Sequence, residues 1–212
     1  VQLISFTGET KTGSEIIRNG AATLKRVSME LGGKSPAIIF DDADVEKALD
    51  AVVWGIFSFN GERCTANSRL FIQEGIYEEF VQSLKERVNN IIIGDPMNPA
   101  SEVGPLIHRE HYENVKRYIQ LAEEEGAEIV SGTIPPELRE GNFVAPTLLL
   151  NCRNDMTVAQ EEIFGPVMAV IPFKSEEQAL EMANDTKYGL AAYVWTGDIK
   201  RGHRLAQKVD SG

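Results

Sequence analysis

The sequence predicts an α/β fold with a largely parallel sheet flanked by helices. Short runs rich in Val, Ile and Phe alternate with longer stretches in which apolar residues recur every three to four positions, the patterns of strands and amphipathic helices. The chain has 212 residues, of which 42% are hydrophobic and 25% charged, as in a globular protein with a substantial core. Strands that alternate with helices favour parallel pairing, because a parallel strand needs a crossover connection.

The chain opens with a predicted strand, glycine turn and helix. Residues 1–6 alternate in polarity as a strand does, Thr7-Gly8 makes the turn, and the helix ends at Asn19-Gly20. Two more strands are predicted at residues 25–31 and 36–40. Gly32-Gly33 lies between them as a hinge or a point where a ligand approaches the backbone.

A capped apolar helix is predicted next, over residues 45–59. The acidic run Asp41-Asp42-Ala43-Asp44 supplies its N-cap, Gly61 ends it, and Cys64 follows directly. The remaining predictions are strands at residues 67–73, 127–130, 143–150, 167–173 and 190–195, and helices at residues 76–89, 108–125, 176–184 and 198–209. The alternation continues to the last residues, with no internal repeat.

Net charge and hydropathy argue against nucleic-acid-binding, membrane and secreted proteins. The net charge is −11, and residues 1–34 carry five Lys/Arg against three Asp/Glu, which leaves sixteen against twenty-nine in the rest. Such an acidic protein is not expected to bind nucleic acid, whereas a small anionic cofactor near the N-terminal part fits. No run of eighteen apolar residues and no signal peptide is present, so we expect a cytoplasmic protein with no membrane partner. The first residue is not Met, and we interpret the chain as an internal piece of a longer protein.

Cys64 is a candidate nucleophile, because a thiolate attacks carbonyl carbon readily and its pKa falls near positive charge. The adjacent Arg63 could bias the thiol, bind an anionic substrate or form a salt bridge. A structural role for Cys64 remains open from its position alone. Cys152 is interpreted as a small buried hydrophobe, since two cysteines do not make a disulfide framework.

Glu30 is a candidate general base. Its neighbours Met29 and Leu31 are apolar, and desolvation would raise its pKa toward the useful range. The alternative is a strand residue that faces solvent.

Two further patterns are typical of ligand sites, one for phosphate and one for a metal. Residues 7–13 join a strand to a helix, so that backbone N–H groups from Gly8 to Gly13 could face phosphate, although a plain tight turn fits as well and Glu9 would repel an anion. His108 and His111 are one helical turn apart, a spacing that suits a metal. Because no other ligand motif completes that site, we expect helix-surface histidines and no metal.

Five segments taken together, in order along the whole chain, resemble the aldehyde dehydrogenase superfamily. They are Phe6-Thr7-Gly8-x-Thr10-x-x-Gly13, Glu30-Leu31-Gly32-Gly33-Lys34-Ser35-Pro36, Gly61-x-x-Cys64 followed by Arg69, Gln160-Glu161-Glu162-Ile163-Phe164-Gly165-Pro166-Val167, and Asn184 with Tyr188-Gly189-Leu190. The resemblance implies that residues 1–32 are the last strand–helix–strand of a dinucleotide-binding domain. It implies that residues 33–212 are a catalytic domain, truncated at its C-terminus.

The resemblance also implies roles for individual residues. Cys64 attacks the aldehyde, and Glu30 is the general base. Residues expected to bind the cofactor, NAD with NADP not excluded, are Gly8, Glu9, Thr10, Gly13, Leu31, Glu162 and Phe164. Many members have Ser where this chain has Glu9, so a side-chain contact to pyrophosphate is not expected there.

The reaction implied is NAD(P)-dependent oxidation of a small-molecule aldehyde to the acid, through a cysteine thiohemiacetal and thioester, in a parent protein that is a homodimer or homotetramer. Residues 60–66 most resemble the semialdehyde dehydrogenases of bacterial aromatic breakdown, whose substrate is anionic. Arg63 would then bind the substrate carboxylate. Two alternatives remain: a piece that is inactive alone and acts only as a folded domain, and an enzyme that passes its acyl group to coenzyme A.

Overall fold

The computed structural model describes all 212 residues, which form two separate sheets. The smaller sheet pairs β1 (Leu3–Thr7) with β2 (Arg26–Glu30) in parallel, Leu3 opposite Arg26 and Thr7 opposite Glu30. Helix α1 (Thr10–Ala21) makes the crossover between them. The expected strand–helix–strand unit is therefore present. Its assignment to a dinucleotide-binding domain stays a prediction.

The larger sheet has six strands and carries the rest of the chain. These are β3 (Pro36–Ile39), β4 (Arg69–Gln73), β5 (Glu128–Ser131), β6 (Thr147–Leu150), β7 (Val167–Phe173) and β8 (Tyr193–Trp195). Their order is β5-β6-β7-β4-β3-β8, and β5 alone runs antiparallel to its neighbour. The predicted α/β fold with a largely parallel sheet is confirmed.

Six helices surround this sheet. They are α2 (Val45–Phe57), α3 (Tyr77–Asn89), α4 (Arg109–Glu124), α5 (Thr157–Gln160), α6 (Glu176–Asn184) and α7 (Ile199–Lys208). Polar side chains start four of them: Asp44 accepts a hydrogen bond from the Lys47 amide, and His108, Ser175 and Asp198 begin α4, α6 and α7 in the same way. None of the seven helices of the chain is long and apolar enough to cross a membrane.

Hydrophobic residues cover both faces of the large sheet. In β3, Ala37 and Ile39 belong to one core cluster, while Ile38 belongs to the cluster on the opposite face. Leu148 and Leu149 divide between the same two clusters. Successive strand residues point to opposite faces, so a strand buried on both sides reads as a continuous apolar run.

A buried arginine holds three parts of the chain together. Arg69, at the start of β4, is fully buried, and its Nε donates to the Lys34 carbonyl at 2.8 Å. One terminal nitrogen donates to the Met182 carbonyl at 2.9 Å and to Asn154 Oδ1 at 3.3 Å, and the other donates to the Ala183 carbonyl at 2.8 Å. Burial lowers the pKa of Arg69 to about 10.

Candidate active site

Cys64 lies on a tight turn that follows α2 and is exposed to solvent. The helix predicted to reach residue 59 ends at Phe57, because the chain reverses through Phe59, Asn60 and Gly61 with positive φ angles of 53°, 58° and 70°. Such angles are unfavourable for residues with a Cβ, and Asn and Gly tolerate them best. The turn lifts Cys64 out of the helix and leaves its thiol accessible.

Contacts from distant segments fix this turn. Asn60 accepts a hydrogen bond from the Gly104 amide at 2.9 Å and donates to the Pro105 carbonyl at 3.0 Å. On the other side of Cys64, the Tyr193 hydroxyl donates to the Thr65 carbonyl at 2.8 Å. The position of the thiol is therefore set by the tertiary fold as well as by the local sequence.

The backbone that follows Glu30 lies directly against the backbone of Cys64. A Cβ placed on Gly33 would be 2.5 Å from the Cys64 carbonyl oxygen, so this approach requires glycine. The structure thus brings together the two segments that carry the predicted nucleophile and base.

Glu30, the last residue of β2, is exposed, so the expected desolvation of its carboxyl group is wrong. The physical reason is strand geometry: Met29 and Leu31 adjoin Glu30 in sequence but point to the opposite face. The Leu31 side chain packs on α1 instead, where a Cβ on Gly13 would lie 2.6 Å from its Cδ2.

The start of α1 keeps several features that suit an anion. Its first turn contains no acidic residue, Glu9 at the N-cap makes no side-chain capping bond, and Thr10 Oγ1 is buried without a partner. The amides of Gly8 and Gly13, expected to face phosphate, donate instead to the carbonyls of Glu30 and Glu9, both at 3.0 Å. The amides of the first helical turn remain, since they have no acceptor within the helix.

Glu162 fills the space that the Gly32-Gly33 pair creates. Its Oε1 accepts a hydrogen bond from the Gly33 amide at 3.1 Å, and a Cβ on Gly32 would lie 1.9 Å from its Oε2. Burial raises the pKa of Glu162. Near it lies the ammonium group of Lys34, buried without a hydrogen-bond partner, and burial together with Arg69 lowers the pKa of Lys34 to about 7.

Phe164 completes the segment that faces the Cys64 turn. It has a positive φ of 57°, and its carbonyl oxygen lies 2.7 Å from Nε2 of His111. The next residue, Gly165, touches the turn itself, because a Cβ on Gly61 would be 2.2 Å from the Gly165 carbonyl oxygen. Three backbone segments therefore meet at Cys64: the turn itself, the Gly32-Gly33 pair and the loop that contains Glu162 and Phe164.

Arg63, which directly precedes Cys64 in sequence, packs on aromatic side chains. It donates to the Gly55 carbonyl at 2.6 Å, and its guanidinium carbon lies 4.6 Å from the centre of the Trp54 ring and 6.0 Å from that of Phe59. Trp54 and Phe59 are 62% and 70% exposed. No carboxylate of the chain pairs with Arg63, which removes the salt-bridge alternative.

Comparison with known protein families matches residues 1–212 to the aldehyde dehydrogenase family. The chain belongs to this family. It is 53% identical to 5-carboxymethyl-2-hydroxymuconate semialdehyde dehydrogenase of Escherichia coli over all of this chain and 46% of that protein. Among solved structures, it is similar to HpcC from Thermus thermophilus, with a TM-score of 0.96, 53% identity and coverage of 100% of this chain and 42% of that one. It is also similar to a betaine aldehyde dehydrogenase from Staphylococcus aureus in complex with NAD⁺, with a TM-score of 0.96, 40% identity and coverage of 100% and 43%.

The aldehyde dehydrogenase resemblance is thus confirmed, and the chain spans less than half the length of these relatives. The roles of Cys64, Glu30 and the cofactor residues stay predictions, although the structure shows where each residue lies. Sequence reasoning missed His111, which was expected to be a helix-surface residue. Instead its side chain is 15% exposed, while His108 Nδ1 accepts from the His111 amide at 3.1 Å at the start of α4. The three-residue spacing of these histidines suggested a metal site, whereas the structure shows a contact of His111 with Phe164.

Proposed function

We propose that the chain is the catalytic part of an NAD-dependent aldehyde dehydrogenase that oxidises an aldehyde to the carboxylic acid, with Cys64 as the nucleophile. The observation that carries this proposal is the exposed Cys64 thiol on a turn packed against the Gly33 backbone, three residues after Glu30. An accessible thiol, a carboxylate and a glycine-lined backbone are the groups that thioester chemistry on a carbonyl requires.

The first step uses the thiol and a backbone amide. The Cys64 thiolate adds to the aldehyde carbon, and the carbonyl oxygen takes up the negative charge. The Cys64 N–H makes no hydrogen bond to another backbone group, whereas the Glu62 and Ala66 amides donate at 2.9 and 3.1 Å. The Cys64 amide is therefore free to donate to the oxyanion.

The second step needs water and a base. NAD⁺, when bound, accepts the hydride that leaves the substrate carbon. Glu30 then removes a proton from water, which attacks the thioester carbon and releases the acid and the thiol. The exposure of Glu30 gives water direct access to it. This role favours hydrolysis over transfer to coenzyme A.

The residues present fit the cofactor. The first turn of α1 offers free amides, with the unpartnered hydroxyl of Thr10 beside them, and is proposed to hold the pyrophosphate. Leu31 packs on Gly13 behind this turn. Glu162 and Phe164 are proposed to hold the nicotinamide riboside, and the NAD⁺ complex of the Staphylococcus aureus relative supports NAD as the cofactor.

An anionic semialdehyde such as 5-carboxymethyl-2-hydroxymuconate semialdehyde is the proposed substrate. Arg63 lies beside Cys64 with no carboxylate partner, and a substrate carboxylate would supply one. A trimethylammonium aldehyde, the substrate class named for the betaine aldehyde relatives, would be repelled by the same charge. The 53% identity to the semialdehyde dehydrogenase agrees with this choice.

Variants of the full-length protein that carries this chain test the proposal. Cys64→Ala should abolish NADH formation, and turnover that survives would refute the role of Cys64. Glu30→Gln should give one rapid turnover of NADH and then a slow phase, because the thioester forms but is hydrolysed slowly. Formation of an acyl-coenzyme A product on addition of coenzyme A would overturn hydrolytic release.

The substrate proposal needs its own comparison. Arg63→Leu should raise KM for an anionic semialdehyde about tenfold or more and leave KM for a neutral aldehyde of equal length within about twofold. An equal rise for both substrates would mean that Arg63 only supports the turn.

We also propose a cytoplasmic homodimer or homotetramer. Strand β5 lies at an edge of the large sheet and leaves one side without a strand partner, a surface on which a second chain can pair. Light scattering on the full-length protein measures the oligomeric state, and a monomer at micromolar concentration would contradict this proposal.

A further inference from the structure

His111 is anchored at the start of α4 and points at the loop that contains Phe164. A carbonyl oxygen can only accept, so the His111 Nε2 carries the hydrogen and donates to the Phe164 carbonyl at 2.7 Å. The two rings also meet edge to face, with centroids 6.2 Å apart. The His111 side chain is 15% exposed, whereas Phe164 is 40% exposed, so this hydrogen bond lies at the edge of the packed region.

Phe164 needs such support because its backbone is in the left-handed region, with φ of 57°. A residue with a Cβ stays in that region only where its surroundings hold it. The adjoining Gly165 is fixed by the same helix, since a Cβ on Gly165 would lie 2.8 Å from Cγ2 of Val115 in α4. Helix α4 therefore holds the backbone of both residues.

His111 also faces the turn that presents Cys64. Its Nε2 lies 3.7 Å from Oε1 of Glu62, the same oxygen that accepts from the Ile107 amide at 3.3 Å. The other titratable group beside the ring is His108, with centroids 6.1 Å apart. One side chain thus stands between the thiol turn and the loop proposed to hold the nicotinamide riboside.

We propose that His111 is a positioning residue of this site. It holds the left-handed backbone of Phe164, fixes the direction of the Phe164 ring and ties that ring to the Glu62 side of the Cys64 turn. The consequence for cofactor binding rests on the function proposed above, whereas the effect on the loop does not.

The first test measures the loop without cofactor. Hydrogen–deuterium exchange of residues 161–166 should be about fivefold faster in His111→Leu, which keeps bulk but cannot donate, because one hydrogen bond that holds the loop is lost. His111→Gln keeps an N–H donor and should stay within about twofold of the original protein. His203→Leu, at an exposed histidine of α7, is the matched control and should change nothing.

The second test measures NAD⁺ binding to the full-length protein by calorimetry. The Kd should rise about fivefold in His111→Leu and recover in His111→Gln, while iodoacetamide alkylates Cys64 at the same rate in all variants. A general loss of packing would instead weaken both histidine variants and change the alkylation rate.

The outcomes separate the two proposals. Unchanged exchange of residues 161–166 in His111→Leu would overturn the role of His111, whether or not cofactor binds. If the original protein binds no NAD⁺ while exchange responds as expected, the proposed function fails and the contact with Phe164 stands. Unchanged Kd with accelerated exchange would refute the link to the cofactor.

Discussion

Replacing Arg69 with lysine tests how much a buried planar donor contributes to this fold. The guanidinium group makes four hydrogen bonds through three nitrogens, to the carbonyls of Lys34, Met182 and Ala183 and to the side chain of Asn154. Lysine keeps the charge but gathers its donors on one nitrogen at the end of a flexible chain. It cannot reach all four acceptors at once.

The expected cost follows from the acceptors left without a donor. If the lysine nitrogen satisfies two of the four, the other two stay buried and unpaired, at about 1 to 3 kcal/mol each. Arg69→Lys should therefore lower the free energy of unfolding by about 3 kcal/mol. This would be a large fraction of the stability of a typical domain.

Urea unfolding followed by tryptophan fluorescence measures this change. Arg204→Lys is the matched control, because Arg204 also makes a two-nitrogen contact, to Glu176, but its side chain is 47% exposed. Such a surface pair contributes little, and the control should lose at most about 0.5 kcal/mol. A loss below about 1 kcal/mol in Arg69→Lys, or one equal to the control, would refute the reasoning.

Three further outcomes are expected. Gly61→Ala should cost about 3 kcal/mol or more, because a Cβ there would meet a carbonyl oxygen at 2.2 Å with φ at 70°, and Gly75→Ala, which meets nothing within 4 Å, is its control in the same denaturation experiment. Iodoacetamide should alkylate Cys64 in the native protein and spare Cys152, whose pKa burial raises to about 11; mass spectrometry that finds both equally modified would contradict this. The pKa of Lys34 is about 7 in the folded protein and 10.5 as its ordinary value. Between pH 7 and pH 10.5 the unfolded chain therefore binds more protons than the folded one, and the free energy of unfolding rises with pH. Lys34→Met should thus stabilise the protein more at about pH 6 than at about pH 9, by about 2 to 3 kcal/mol, and equal gains at both pH values would be the contrary result.

The elements predicted best are those whose first and last residues are determined by the adjacent sequence. Helix α6 and strand β7 have the predicted bounds, since a serine cap and a continuous apolar run define them. Strand β6 begins at Thr147 rather than residue 143, because Pro146 cannot donate to a ladder although the residues before it are buried. Helix α5 was missed, since four residues are too short to show a helical period.

The site shows a different limit. The Gly8-to-Gly13 and Gly32-Gly33 patterns indicated close approach, and the structure has close approach at both, but of other parts of the chain: Leu31 at Gly13, and Glu162 and the Cys64 backbone at the glycine pair. No local pattern could identify Glu162 as the occupant, because 129 residues separate it from Gly33. The contact between His111 and Phe164 was hidden for the same reason.

The contacts around Cys64 have a consequence for how this site can diversify. At Gly33 and Gly61, main chain presses on main chain with no space for a side chain, so substitution there breaks the site rather than modifying it. Trp54 and Phe59 are largely exposed and stack with Arg63, so these three side chains can change without moving that main chain. Variation in this sequence can therefore collect at these three positions while the main chain around Cys64 stays the same.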